Sequence, residues 1–221
     1  MKLRPAALAL LVLAMTTTPA RADWENGPIN GTTNAWSINF GYVVSDSYLS
    51  GGGTVTGFEF GVWEFPGDTM TSVEWSITSG ENSGTVYGSG IAGGANLTDK
   101  FISTNQYGYD IDLIVVTGLN VAEVSGTTYW LNLQNASVPS GDPVYWDENS
   151  GVGCESNGCP SLASQSAIGT IASEAFTISG CVAGNDGPSG CGPPTPEPGS
   201  IFLFGSGVLG TLGVLRRKLN R

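Results

Sequence analysis

The segment Gly141–Asn149 concentrates side chains that could bind a ligand. Two aromatic residues stand there among carboxylates and an amide. Aromatic rings stack on the C–H faces of sugars, whereas acids and amides bind hydroxyl groups. The composition predicts a polysaccharide site formed by Tyr145, Trp146, Asp147, Glu148 and Asn149. Carboxylates are also natural Ca²⁺ ligands, so Asp142 and Asp147 are the candidate metal ligands, and Ca²⁺ is the only cofactor the segment suggests.

The same segment also fits a strand that packs in a core. In this alternative Val144 and Trp146 face the core, and Tyr145 and Asp147 face solvent. A tryptophan in a strand is usually a packing residue, which favours this interpretation over the ligand site.

A second set of acids could hold a cation. Asp110 and Asp112 are two positions apart, so they lie on the same side of a strand. With Asp99 or Asp68 nearby they could bind a divalent ion, although two solvated carboxylates at a sheet edge are the more ordinary interpretation.

The sequence argues against an enzyme. It contains no histidine, which excludes histidine-dependent triads and metal sites. The remaining option is a glycan-cleaving enzyme with two carboxyl groups roughly 5 to 9.5 Å apart. Acids that could form such a pair are Glu59, Glu64, Glu74 and Glu174. Nothing in the sequence singles out two of them, so we expect no catalysis.

Four cysteines lie late in the chain. In an exported protein disulfides are the default, and four cysteines allow three pairings. We favour Cys154–Cys159 and Cys181–Cys191, because each closes a local loop rich in Gly, Asn and Ser. A zinc site is the alternative, which the spacing and the lack of histidine disfavour.

Residues 1–22 have the layout of a secretory signal peptide. A short basic region precedes the apolar run Ala6–Met15, and Ala20-Arg21-Ala22 is a small-x-small cleavage site. The run is too short for the alternative, an N-terminal membrane helix.

Residues 199–221 predict a transmembrane helix with a basic cytoplasmic tail. Gly199–Leu215 is uncharged and mostly apolar, and Arg216, Arg217 and Lys218 follow it. Basic residues stay on the cytoplasmic side, so the preceding domain would lie outside the cytoplasm. Residues 188–198 are rich in Pro and Gly and predict a semi-rigid spacer.

The spacer ends in Pro196-Glu197-Pro198. This tripeptide, a Gly-containing apolar helix and an Arg-rich cluster together resemble the PEP-CTERM sorting signal of Gram-negative bacteria. The resemblance implies processing by an exosortase and an association with exopolysaccharide and biofilm. It further implies an exported protein, tethered to the inner membrane before processing and then located at the cell surface or in the extracellular matrix.

Charge excludes one class of partner. All 19 acidic residues lie from Asp23 to Glu197, and the same stretch contains a single base, Lys100. Nucleic acid requires clustered Lys and Arg, so we expect no nucleic-acid partner.

Residues 23–187 predict one all-β domain. Short runs alternate apolar and polar residues between turn residues, which is typical of half-buried strands. About eight to ten such runs favour an antiparallel β-sandwich, jelly-roll-like. The main runs lie at 38–42, 58–63, 73–78, 110–115, 129–134 and 176–178. Ala163–Ile171 is at most a helical turn.

Overall fold

The computed structural model describes residues 24–154 and 156–181, of which Cys181 is described by its backbone alone. The predicted signal peptide, spacer, transmembrane helix and basic tail lie outside the described residues, as does Cys191. None of the helical structure in the described residues has the length and apolar character needed to cross a membrane.

The described chain is built from antiparallel strands and one short 3₁₀ turn, which confirms the predicted all-β class. The strands, in chain order, are β1 Trp24–Glu25, β2 Asn34–Ser37, β3 Val43–Leu49, β4 Gly53–Glu64, β5 Ser72–Gly80, β6 Ser83–Gly93, β7 Leu97–Thr104, β8 Asp110–Glu123, β9 Thr128–Ser137, β10 Tyr145–Glu148, β11 Ala163–Gln165, β12 Gly169–Ile171 and β13 Phe176–Cys181. The 3₁₀ turn is Gly94–Asn96, between β6 and β7.

The strands form two sheets. The first has seven strands, and β4 is its centre. One edge of β4 pairs with β8 along its length, and β8 pairs with β7. The other edge pairs first with β13 and then with β10, which carry β1 and β2 outside them. The second sheet has six strands in the order β12-β11-β3-β9-β5-β6.

The core lies between the inner faces of the two sheets. Phe58, Phe60 and Val62 of β4 are buried in it, and so are Leu131 and Leu133 of β9. Each set alternates with residues on the other face of its strand, because successive side chains point to opposite sides of a sheet. The packing is sandwich-like, as the sequence predicted.

Two local predictions were wrong. The alternation at 38–42 is not a strand, because β2 ends at Ser37 and β3 begins at Val43. Phe40 takes a left-handed backbone conformation (φ 55°) beside Gly41 (φ 83°). These two residues turn the chain between the two sheets, since positive φ interrupts an extended strand.

Residues 163–171 are also not a helical turn. They form a hairpin in which β11 pairs with β12 and also joins β3. Gly169 adopts positive φ (89°) where β12 begins, a conformation that glycine takes without strain.

Candidate functional site

Trp146 is a core residue. It lies in β10, is 0 % exposed and contacts the rings of Phe60 and Phe176 edge-on at centroid distances of 5.9 and 5.6 Å. Its indole Nε1 donates to the carbonyl of Ala175 at 3.0 Å. Its predicted stacking on a sugar is therefore corrected, because the ring presents no face to solvent. Val144 is equally buried.

Asp147 is buried, and three N–H groups of the protein donate hydrogen bonds to its carboxylate. Its Oδ1 accepts hydrogen bonds from Trp63 Nε1 at 2.6 Å and from the Gly31 amide at 3.0 Å. Its Oδ2 accepts one from the Asn30 amide at 2.8 Å. Burial raises the pKa of Asp147, and these hydrogen bonds oppose that shift. The carboxylate fastens the chain before β2 onto the outer face of the first sheet, and its suggested role as a calcium ligand stays a prediction.

The other polar candidates also support the local structure. Glu148 accepts hydrogen bonds from Trp36 Nε1 at 3.0 Å and from Ser150 Oγ at 2.9 Å. Asn149 donates to the carbonyl of Asn26 at 2.5 Å. Both side chains are buried, so the predicted sugar contacts are replaced by contacts within the fold. Asp142 is half-buried in the loop before β10.

Tyr145 alone of the predicted segment belongs to a surface group of aromatic residues. We define the aromatic patch as Trp63, Phe65, Tyr107, Tyr109 and Tyr145. Tyr109 is its centre, with ring-centroid distances of 5.8 Å to Tyr145, 5.2 Å to Phe65 and 5.9 Å to Trp63. Tyr107 stacks on Trp63 at 5.7 Å with an interplanar angle of 24° and is 59 % exposed.

Three elements bring the patch together. Trp63, near the end of β4, pairs with Tyr145 of β10 across one edge of its strand. Tyr107 and Tyr109 come from the loop between β7 and β8. Asn105 shapes that loop, since its Oδ1 accepts hydrogen bonds from the Tyr107 and Tyr109 amides at 2.9 and 3.0 Å.

Sequence reasoning named Tyr145 as a stacking residue, but it missed the other four rings of the patch. The signal available was the short spacing of Tyr107 and Tyr109 and of Trp63 and Phe65. No pattern relates these two pairs, because they meet through the pairing of separate strands.

The predicted acidic residues of β8 do gather with other acids. We define the end cluster as Glu64, Asp68, Asp99, Asp110 and Asp112. Strand register places Glu64 opposite Asp110 and Val62 opposite Asp112. Burial, followed by repulsion from Asp99 and the other three acids, raises the pKa of Glu64 to about 8. Burial and the charges of Asp99 and Asp110 raise the pKa of Asp112 to about 7.

Only some carboxylates of the end cluster accept hydrogen bonds from the protein. Asp110 accepts hydrogen bonds from the Gly67 amide at 3.1 Å and from Thr104 Oγ1 at 3.0 Å. Asp99 accepts one from the Met70 amide at 2.5 Å. Glu64 is 0 % exposed, and neither of its carboxyl oxygens has a hydrogen-bond partner.

A second acid group is wholly enclosed. Asp46 of β3 and Glu174, just before β13, form what we call the enclosed pair. Both are 0 % exposed, and the Glu174 amide donates to Asp46 Oδ2 at 2.7 Å. Both carboxyl oxygens of Glu174 lack a partner. Burial raises the pKa of each group well above its ordinary value, and the charge of Asp46 adds to the shift at Glu174.

The structure does not bring together a preformed metal centre in its described part. Within residues 24–154 and 156–181, no three His, Cys, Asp or Glu side chains are placed to hold a metal ion. The calcium that the sequence suggested therefore stays a prediction.

The four glutamates considered for catalysis lie on different parts of the fold. Glu59 and Glu64 are on opposite faces of β4, because five positions separate them in a regular strand. Glu74 belongs to the other sheet and accepts a hydrogen bond from Asn135 at 2.7 Å. Glu174 is enclosed beside Asp46.

One predicted disulfide is confirmed. Cys154 and Cys159 are bonded, with their Cα atoms 6.2 Å apart. The loop they close packs near β1, where Trp24 Nε1 donates to the carbonyl of Asn157 at 2.9 Å. The predicted partner of Cys181 lies outside the described residues.

The family comparison concerns the other part of the chain. Residues 194–218 match the model of the PEP-CTERM protein-sorting motif. The match includes Pro196-Glu197-Pro198 and the basic residues Arg216, Arg217 and Lys218, on which the resemblance rested. The chain thus carries a PEP-CTERM protein-sorting motif, which implies an exported, membrane-anchored substrate of an exosortase. No curated protein matches the sequence.

Proposed function

We propose that this protein is a non-catalytic component of the cell surface or extracellular matrix, associated with exopolysaccharide and biofilm. The observation that carries the proposal is the sorting motif at residues 194–218. The motif follows a compact all-β domain in the same chain, an arrangement suited to delivering a folded domain to the exterior.

The chemistry of the chain supports a binding or structural role over catalysis. The sequence has no histidine, and the glutamates that could act as acid and base lie on different faces and sheets. An acid–base pair must approach one bond from two sides, so separated carboxyl groups do not meet the requirement. Enclosed acids such as Glu174 are out of reach of a polysaccharide.

The surface charge supports an exterior location. Lys100 is the only base among the described residues, so the domain carries a strong excess of negative charge. Such a domain stays soluble and does not bind nucleic acid or an anionic membrane surface. Its attachment therefore depends on the tail.

Deleting residues 196–221 tests the proposal. We expect the truncated protein to be released into the periplasm or the medium, measured by immunoblotting of fractions. A second variant replaces Pro196, Glu197 and Pro198 by alanine and keeps the apolar segment. We expect that variant to remain in the inner membrane, because it can anchor but is not processed. Retention of the truncated protein at the surface in the same amount would contradict the proposal.

A carbohydrate-binding module is the second candidate, and the aromatic patch favours it. Tyr145, predicted as a stacking residue, packs edge-on against the half-exposed Tyr109, which also contacts the exposed ring of Phe65. A glycan-cleaving activity has no comparable support.

A further inference from the structure

The aromatic patch is a continuous surface of five rings on the side of the first sheet that faces away from the core. Trp63 is its base, buried beneath Tyr107, while Phe65 and Tyr107 are more than a third exposed. Trp63 is held by its hydrogen bond to Asp147. A platform of this kind is rigid at its base and accessible above, which is what stacking on a ligand requires.

The patch also carries polar groups. The hydroxyls of Tyr109 and Tyr145 lie among the rings, and burial and the neighbouring Tyr109 raise the pKa of Tyr145, so its hydroxyl stays protonated. Rings that carry hydroxyl groups match a sugar, which has an apolar C–H face and a rim of hydroxyl groups.

The charges around the patch select among sugars. The described residues contain many carboxylates and a single base, so the domain around the patch carries a strong excess of negative charge. No basic residue among residues 24–154 and 156–181 is available to bind an anion except Lys100, which belongs to the edge strand β7. A polymer of uronic acids would meet like charge here, and like charges repel.

We propose that the aromatic patch is a stacking site for neutral polysaccharide chains. The inference rests on the proposed function, because the matrix supplies the ligand. Tyr107 and Tyr145 contact the sugar, and Trp63 positions Tyr107. The site excludes polyuronates by charge.

The test uses the intact protein, purified in detergent, with a soluble neutral glucan and a neutral mannan as probes and alginate as the acidic comparison. Binding is measured by affinity electrophoresis and calorimetry. We expect at least one neutral polymer to bind and alginate not to bind. Tyr107→Ala should weaken binding by about tenfold, which corresponds to about 1.4 kcal/mol, because one stacked ring is lost.

Three controls make the result specific. Tyr107→Phe should retain most of the affinity, because the ring remains. Tyr42→Ala removes a partly exposed tyrosine outside the patch and should leave binding unchanged. Binding should be equal in calcium and in EDTA, and circular dichroism checks that each variant is folded.

The inference is overturned if neither neutral polymer binds, if alginate binds better, or if Tyr107→Ala binds as the unmodified protein does. Those outcomes leave the proposed function intact when tail deletion still releases the protein. Conversely, the protein could bind glycan while its localisation is unchanged by tail deletion. That result would overturn the proposed sorting through the tail and support the proposed binding site.

Discussion

The enclosed pair and the end cluster both bury carboxyl groups, but their surroundings differ. Asp46 and Glu174 are shut inside the fold, and burial is the main cause of their raised pKa values. Glu64 and Asp112 are buried where the strands end, and three further acids lie close enough to raise the pKa of Glu64. Desolvation is the largest cause in both groups, and repulsion adds to it in both. The repulsion in the second group comes partly from the half-exposed Asp68, Asp99 and Asp110, which dissolved salt can reach.

Asp147 shows what Glu64 and Glu174 lack. It is as buried as Glu174, but three N–H groups donate to its carboxylate. A buried carboxylate with donors stabilises the fold, whereas one without them is costly in its charged form. The hydrogen bonds at Asp147 therefore oppose the effect of burial, an opposition that is missing at Glu64 and Glu174.

The largest effect should come from removing the carboxylate of Asp147, which accepts three hydrogen bonds. Asp147→Ala leaves Trp63 Nε1 and two backbone amides without an acceptor, and we expect the free energy of unfolding to fall by about 3 kcal/mol. Urea denaturation measures the loss. Asp142→Ala, at a half-buried position in the preceding loop, is the matched control and should change stability by less than about 0.5 kcal/mol. Equal effects of the two substitutions would contradict the contrast.

A smaller, pH-dependent effect should come from the end cluster. The pKa of Glu64 is about 8 in the folded protein against 4.5 ordinarily, so the folded state holds its proton more tightly. Its contribution to stability is present in full below pH 4.5 and is lost as the pH rises through about 8. We expect the protein to lose on the order of 2 kcal/mol across this window, after allowance for solvent screening.

Glu64→Gln should reduce the loss of stability between pH 4.5 and about pH 8, because an amide does not ionise. Thermal unfolding at a series of pH values measures the slope. Glu81→Gln changes an exposed acid in the β5–β6 turn and should leave the slope unchanged. Glu174→Gln should independently reduce the dependence of stability on pH, because it removes an ionisable group of the enclosed pair. An unchanged slope in Glu64→Gln would show that the end cluster does not hold its protons.

The smallest effect should be that of salt. Screening relieves repulsion between acids near the surface, so added NaCl at about pH 8 should stabilise the protein by a few tenths of a kcal/mol. Glu64→Gln should reduce the gain, and Glu174→Gln should not. CaCl₂ is compared with NaCl at equal ionic strength, because the calcium that the sequence suggested is still a prediction. A larger gain with calcium that Glu64→Gln abolishes would place the suggested calcium at the end cluster.

Sequence patterns predicted the fold class better than the candidate site. The alternation around Phe58 and around Leu131 reports a local property, the opposite orientation of successive side chains, and those strands exist. The alternation around Phe40 did not predict a strand correctly, because positive φ at Phe40 and Gly41 turns the chain. The jelly-roll-like order and the signal peptide stay predictions.

The site depended on contacts that no local pattern contains. Tyr145–Asn149 has the composition of a sugar site, but strand pairing directs Trp146 into the core and supplies Asp147 with donors from residues more than 100 positions away. The same pairing places Tyr145 beside Trp63 and the Tyr107 loop.

The sequence by itself determined the sorting motif, the all-β class and the Cys154–Cys159 bond, because each is written in residues close together along the chain. Only the tertiary structure decided which aromatics share a surface, which acids repel one another and which carboxylate is satisfied. Those properties follow from the register between strands distant in sequence, and a single shift of register would move every side chain of a strand to the opposite face.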